Sequence, residues 1–159
     1  MRQAPEQAAM YSRILVPVDG SSCSLAGLTE ALKLAKALNA RIRLMHVCNE
    51  LITASALAPS DYHDQLVESM RETGKAVLAD AQAFARQQEV IVEAVLVDSD
   101  CRRASDCVVA AARQWAADLI VMGTHGRRGM SRLAMGSDAE LVARSTPVPV
   151  LMVRGQPDV

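Results

Sequence analysis

The chain predicts an α/β fold: a parallel, doubly wound sheet with helices on both faces and right-handed crossovers. Three observations carry this. Short apolar runs such as Ile14 to Val18 read as strands buried on both faces. They alternate along the chain with segments whose apolar residues recur every three or four positions, the period of a helix with one buried stripe. One run, Leu119 to Met122, stops at Gly123 and gives way to a glycine-bearing loop and a helix start at Ser137. Ligands of such sheets sit beyond the carboxyl ends of strands like that one.

Taken in order, residues 1–12 are expected to be a loose polar extension, residues 13–155 one domain, and 156–159 a tail. Arg13 to Asp19 is the first strand, turned by Gly20-Ser21-Ser22. The first helix follows, with its stripe at Leu28, Leu32, Ala35 and Leu38, and Asn39 suits its C-terminal cap. Arg41 to Val47 is the second strand. Cys48 to Ser60 reads as a loop, with a short helical turn near Ala54 to Leu57. Asp61 to about Gln88 is the second helix, on the strength of Leu66, Met70, Val77, Ala81 and Phe84. Gly74 within it costs up to ~1 kcal/mol relative to alanine, which points to close packing there. Val90 to Val97 is the third strand, Ala104 to Ala116 the third helix, and Asp118 to Met122 the fourth strand. A short helix from Ser137 to Arg144 precedes a fifth strand, Pro147 to Val153. Pro149 lacks an N–H, so that strand belongs at a sheet edge. Its residues Val150 to Val153 are nevertheless apolar towards both faces, an association hazard unless a partner covers the edge.

Composition narrows the function. With 159 residues the chain can bury about two-thirds of its unfolded surface as one domain. A net charge of −1 steers it to neither nucleic acid nor anionic lipid, and 3% aromatics argue against stacking platforms for single strands. The N-terminal ten residues lack the apolar core of a secretory signal, and no apolar run approaches the ~20 residues of a membrane span. The expected location is the cytoplasm. Cys23, Cys48, Cys101 and Cys107 form no Cys-x-x-Cys pair and no zinc-ligand spacing. They read as buried thiols, with pairing of Cys101 to Cys107 left open by their spacing.

The chemistry concentrates in Gly123-x2-Gly126-x9-Gly136-Ser137. Glycines let backbone N–H groups approach an anion, and the unsatisfied amides of a first helical turn, with its positive dipole end, add attraction. Arg127, Arg128 and Arg132 bring positive charge beside it. Ser137-Asp138-Ala139-Glu140 has the form of a capping box, serine as N-cap and glutamate three residues on. The Walker loop and the dinucleotide fingerprint are both missing.

This pattern resembles the ATP-binding signature of the universal stress protein family, and the resemblance runs from Arg13 to Arg154. It implies a five-stranded parallel sheet in the order 3-2-1-4-5, a Rossmann-like fold of the adenine nucleotide alpha hydrolase-like type. It also implies ATP as ligand and a homodimer formed through the strand Val148 to Val153. Carried over position by position, Pro17, Val18 and Asp19 match the segment where an aspartate meets the nucleoside. Val47 matches the position whose backbone meets the base, with His46 beside it packing locally. Met122, Gly123, His125 and Gly126 match the fourth-strand segment, and Gly136 with Ser137 the phosphate end.

Two positions depart from the family's pattern. Asp138 stands where an apolar residue is frequent; beside a triphosphate it either points away, the favoured arrangement, or helps hold Mg2+. Arg102-Arg103-Ala104 replaces a Gly-x-Pro, which either crowds the ligand or adds phosphate contacts. No histidine–carboxylate–nucleophile constellation is legible. The expected function is a nucleotide-dependent stress-response module with slow or no ATP hydrolysis; a nucleotide hydrolase or ATP-dependent transferase of the same fold is the alternative.

Overall fold

The computed structural model describes residues 10–48, 60–99, 102–126 and 135–155. Along them run β1 (Arg13–Pro17), α1 (Ser22–Leu38), β2 (Arg41–Cys48), α2 (Ser60–Gln87), β3 (Val92–Asp98), α3 (Ala104–Gln114), β4 (Leu119–Gly123), α4 (Ser137–Ser145) and β5 (Val150–Val153). The five strands form one parallel sheet, as the alternation of elements predicts, in the order β3-β2-β1-β4-β5 that the family resemblance implies. The loop expected over Cys48 to Ser60, with its helical turn, lies largely outside the described residues, as do Cys101 and Arg127, Arg128 and Arg132.

Alternation along the central strands sends side chains to two separate cores. Ile14 and Val16 of β1, Ile42 and Leu44 of β2, and Leu119 and Val121 of β4 pack with Leu28, Ala31, Leu32 and Ala35 of α1 and Leu78, Ala81 and Ala85 of α2. Their neighbours Leu15, Met45, Ile120 and Met122 point the other way, onto Cys107, Val108 and Ala112 of α3 and Ala139 and Val142 of α4. Each such aliphatic side chain contributes about 1.5–3 kcal/mol when fully buried. This explains why the runs Ile14–Val16 of β1 and Leu119–Met122 of β4 carry no polar interruption, whereas β2, nearer the sheet edge, holds Arg43 and His46. The helical stripe read on α1 is the buried face, with Leu38 half-buried at its end.

Local rules set most boundaries. Ser21 caps α1 by accepting the Ser24 N–H at 3.1 Å, and Asn39 closes it in the left-handed conformation (φ 53°). The helix α3 stops at Gln114, two residues before the expected end, because Ala116 is left-handed (φ 52°). The strand β5 begins at Val150 and lies at the sheet edge. Pro149 enters it without an N–H but accepts the Ile120 N–H at 3.0 Å.

One expectation fails at α4. Its N-cap is Gly136, and among the described residues no side chain caps it. The Gly136 carbonyl accepts the Glu140 N–H at 3.0 Å, so the helix begins one residue earlier than a capping box on Ser137 requires. Glu140 turns instead to Arg144, 2.9 Å away one helical turn on.

The start of β1 is fastened to that of β4 by Asp118, which accepts the Ser12 N–H (2.8 Å), the Ser12 hydroxyl (2.7 Å) and the Arg13 N–H (2.9 Å). Burial pushes its carboxyl up, but these hydrogen bonds outweigh burial and leave it below the ordinary carboxylate value. A depressed folded-state pKa stabilises above the unfolded value of about 3.9 and loses that contribution as pH falls. Asp118→Asn is expected to cost about 1.5–3 kcal/mol at pH 7. Urea titrations of both proteins should show the difference shrinking below pH ~4; a gap independent of pH would contradict this account.

Candidate functional site

Because β1 and β4 are adjacent and their crossovers lead to opposite edges, their carboxyl ends diverge into a crevice. The crevice is a cleft of about 620 Å³, within the size range of small-molecule sites. From the β1 end come Pro17, Val18 and Asp19, and from the end of β2 come Met45, His46, Val47 and Cys48. Met122, Gly123, His125 and Gly126 follow β4, and Gly136, Ser137 and Asp138 open α4. All eleven positions picked from the sequence thus border one cavity. Missed were the walls supplied by α2 (Ser69, Met70, Thr73) and α3 (Ala104, Ser105, Val108). Their residue types are ordinary helix-face types, and tertiary packing alone brings them here.

The β1 end is held by a compact network. The Val18 N–H donates to the Met45 carbonyl (2.8 Å), and Nδ1 of buried His46 lies 2.8 Å from the Val18 carbonyl. A carbonyl accepts, so Nδ1 carries the proton of that bond. The histidine is therefore a local brace, as its sequence position suggested. Above it α2 passes closely: a Cβ on Gly74 would lie 2.7 Å from His46 Cδ2 and from Leu96 Cδ1. That is the packing the mid-helix glycine points to. Arg71 secures the same helix to the end of β3 through two bonds to Asp98 (3.1 and 3.0 Å).

Asp19 is half-buried at the lip. Its Oδ1 accepts from the Ser21 N–H (2.9 Å) and the Ser21 hydroxyl (2.6 Å), tying it to the cap of α1. Its Oδ2 faces Gly126, where an added Cβ would stand 2.9 Å away. Turn chemistry and a carboxylate at the cleft thus coexist in one side chain.

The β4 end is tied down by main-chain bonds. Thr124 donates its N–H to the Val153 carbonyl (2.9 Å) and accepts the Gly136 N–H on its own carbonyl (2.8 Å). Its hydroxyl lies 2.9 Å from His125 Nδ1. Beyond Gly136, the amides of the first turn of α4 have no intrahelical partner and, among the described residues, no capping side chain, and this turn borders the cleft through Ser137, Asp138 and Ala139. Asp138, expected to turn away, contributes to the lining and stays exposed.

The glycines do not all serve as the sequence suggested. A Cβ on Gly123 would meet the Cys23 carbonyl oxygen at 2.7 Å and its carbon at 2.8 Å, so this glycine exists for contact between α1 and β4. Gly27 faces it across the same contact, a Cβ there lying 3.1 Å from the Gly123 nitrogen. A Cβ on Gly136 would stand 3.3 Å from the Thr124 oxygen and 3.5 Å from the His125 Cα. It would therefore press on the loop after β4, and not first on the open space above it. Arg102 and Arg103 are exposed and outside the lining, with Arg102 Nε donating to the Ser99 carbonyl at 3.4 Å. Cys23, Cys48 and Cys107 are buried, and Cys107 Sγ lies 4.0 Å from that same carbonyl.

A universal stress protein of Methanocaldococcus jannaschii is 30% identical over 146 residues, covering 91% of this chain and 83% of its own length. A solved structure from the universal stress protein family of Burkholderia pseudomallei is 35% identical, with a TM-score of 0.73 over 91% of this chain and 97% of that one. The same fold recurs in a universal stress protein solved in complex with cAMP (23% identity, TM-score 0.65, 92% and 98% covered). It recurs again in one from Archaeoglobus fulgidus with dAMP (20% identity, TM-score 0.64, 91% and 98% covered). With the family model matching residues 10–154, essentially the whole folded unit, the chain belongs to the universal stress protein family.

Proposed function

We propose that this chain binds an adenine nucleotide, ATP by first choice, in the cleft between β1 and β4, and acts as a nucleotide-dependent stress-response module. The observation that carries the reading is the uncapped first turn of α4 opening on the same cavity as Asp19. Bare amides and a positive dipole end suit the anionic tail, while a carboxylate at the opposite lip suits hydroxyl or amine donors of the nucleoside. Relatives of the same fold solved with cAMP and dAMP support the ligand class. Asp138, exposed at the phosphate end, fits a triphosphate accompanied by Mg2+, which would offset its charge.

Titration with labelled ATP and Mg2+ tests this. Saturable binding with turnover far below ~1 per second is expected; no saturation at millimolar ATP removes the reading, and faster steady turnover moves it to a hydrolase.

The proposal extends to a homodimer in the cytoplasm, joined through Val148 to Val153. The strand β5 lies at the sheet edge, and Leu151 keeps 37% of its surface exposed. Pairing with a second copy would cover it. Leu151→Lys is expected to shift sedimentation from dimer to monomer at micromolar concentration, and an undiminished dimer would refute this interface.

A further inference from the structure

We propose that Ser105, on the α3 wall of the cleft, is the residue whose hydroxyl reads the ring edge of the bound base. The inference rests on the adenine-nucleotide reading above and adds a specificity determinant to it.

A serine in a helix's first turn ordinarily faces water or caps the helix. Ser105 does neither. It is 1% exposed, α3 has no side-chain cap, and among the described residues its Oγ is a buried polar atom with no hydrogen-bond partner. Buried hydroxyls are nearly always paired, because an orphaned one lowers stability. The other buried polar side chains that line the cleft obey that rule. Ser24 Oγ donates to the Ser21 carbonyl at 3.0 Å, and His46 uses the Val18 carbonyl. Ser105 is among the residues that border the cavity and its side-chain hydroxyl is unused, so rotation about its Cα–Cβ bond would offer that hydroxyl to a ligand atom as the missing partner.

Topology says which part of the ligand that is. The helix α3 leaves the end of β3, and the Ser99 N–H donates to the Cys48 carbonyl at the end of β2 (3.0 Å). Ser105 therefore belongs to the β2–β3 side of the crevice. The amides of α4 lie after β4, two strands from β2, a separation of roughly 10 Å. A nucleotide with its phosphates at α4 would carry its base towards Ser105 and the apolar side chains Val47 and Val108. A hydroxyl both donates and accepts, which suits a ring edge bearing an exocyclic amine beside ring nitrogens.

Ser105→Ala tests this with three probes: ATP, the purine riboside triphosphate that lacks the amine, and a deaza-ATP that lacks a ring nitrogen. ATP binding to the variant is expected to weaken roughly 3- to 10-fold. That deficit should vanish for one of the two base-edge analogues, with the ligand-free variant at least as thermally stable as the parent. Three results would overturn the assignment: unchanged ATP affinity, an equal deficit for all three nucleotides, or a ligand-free variant that is less stable. Failure of the parent protein to bind any adenine nucleotide would bring down the underlying reading as well; normal parent binding with an unaffected variant would bring down Ser105 alone.

Discussion

Gly123→Ala is expected to destabilise the fold by about 2–3 kcal/mol, a large effect for one methyl group. The added carbon would sit 2.7 Å from the Cys23 carbonyl oxygen and 2.8 Å from its carbon, inside van der Waals contact. Both are main-chain atoms of α1, so relief requires the helix to move off β4. Trimming the cysteine should therefore not rescue the variant: Cys23→Ala combined with Gly123→Ala keeps most of the loss. Urea unfolding of the three proteins checks this, and a single variant as stable as the parent would show that the contact is softer than its geometry. A fall in nucleotide affinity at this position would say nothing about ligand contact, because the fold gives way first.

Asp19→Asn is expected to behave in the opposite manner, with fold retained and binding lost. An amide oxygen can still accept from Ser21, so the cap of α1 persists. The second carboxylate oxygen, beside Gly126, becomes a donor where the nucleoside needs an acceptor. Losing a hydrogen bond to a charged group removes about 1.5–3 kcal/mol, or roughly 10- to 100-fold in affinity. Removing a negative charge also eases repulsion of the phosphates. Each phosphate charge roughly 10 Å away in a solvent-open cleft weighs about 0.4 kcal/mol, so a Mg2+-bound tail of net charge about −2 weighs about 0.8 kcal/mol, and the lost hydrogen bond wins. Calorimetric titration with ATP reads the result; tighter binding by the variant would reverse the ranking of the two effects, and equal binding would remove Asp19 from the site.

These cases show where sequence reasoning reached and where it stopped. Period and punctuation located the elements, and the family resemblance supplied the strand order: two-sided apolar runs mark β1 and β4, Asn39 marks a helix end, and Pro149 marks the edge. Gly74 was legible because a glycine inside a strong helical pattern needs a packing reason. Gly123 was read as an aid to anion approach, since a one-dimensional pattern cannot say which backbone lies opposite. The Ser137 capping box failed because Gly136 could serve as well and Glu140 had Arg144 within reach. Ser105 had no signal at all. A serine between alanine and aspartate reads as surface, and the tertiary packing that leaves it 1% exposed turns it into a chemical group.

The meeting of Gly27 with the main chain at Gly123 has one more consequence. Where backbone touches backbone, no rotamer can adjust, and the spacing is a ruler graduated in atomic radii. The mouth of the crevice hangs from that ruler, so its width should change little between empty and filled states. Substitution at either glycine would have to be matched by a concerted shift of the whole first helix, which makes drift at these two sites slow.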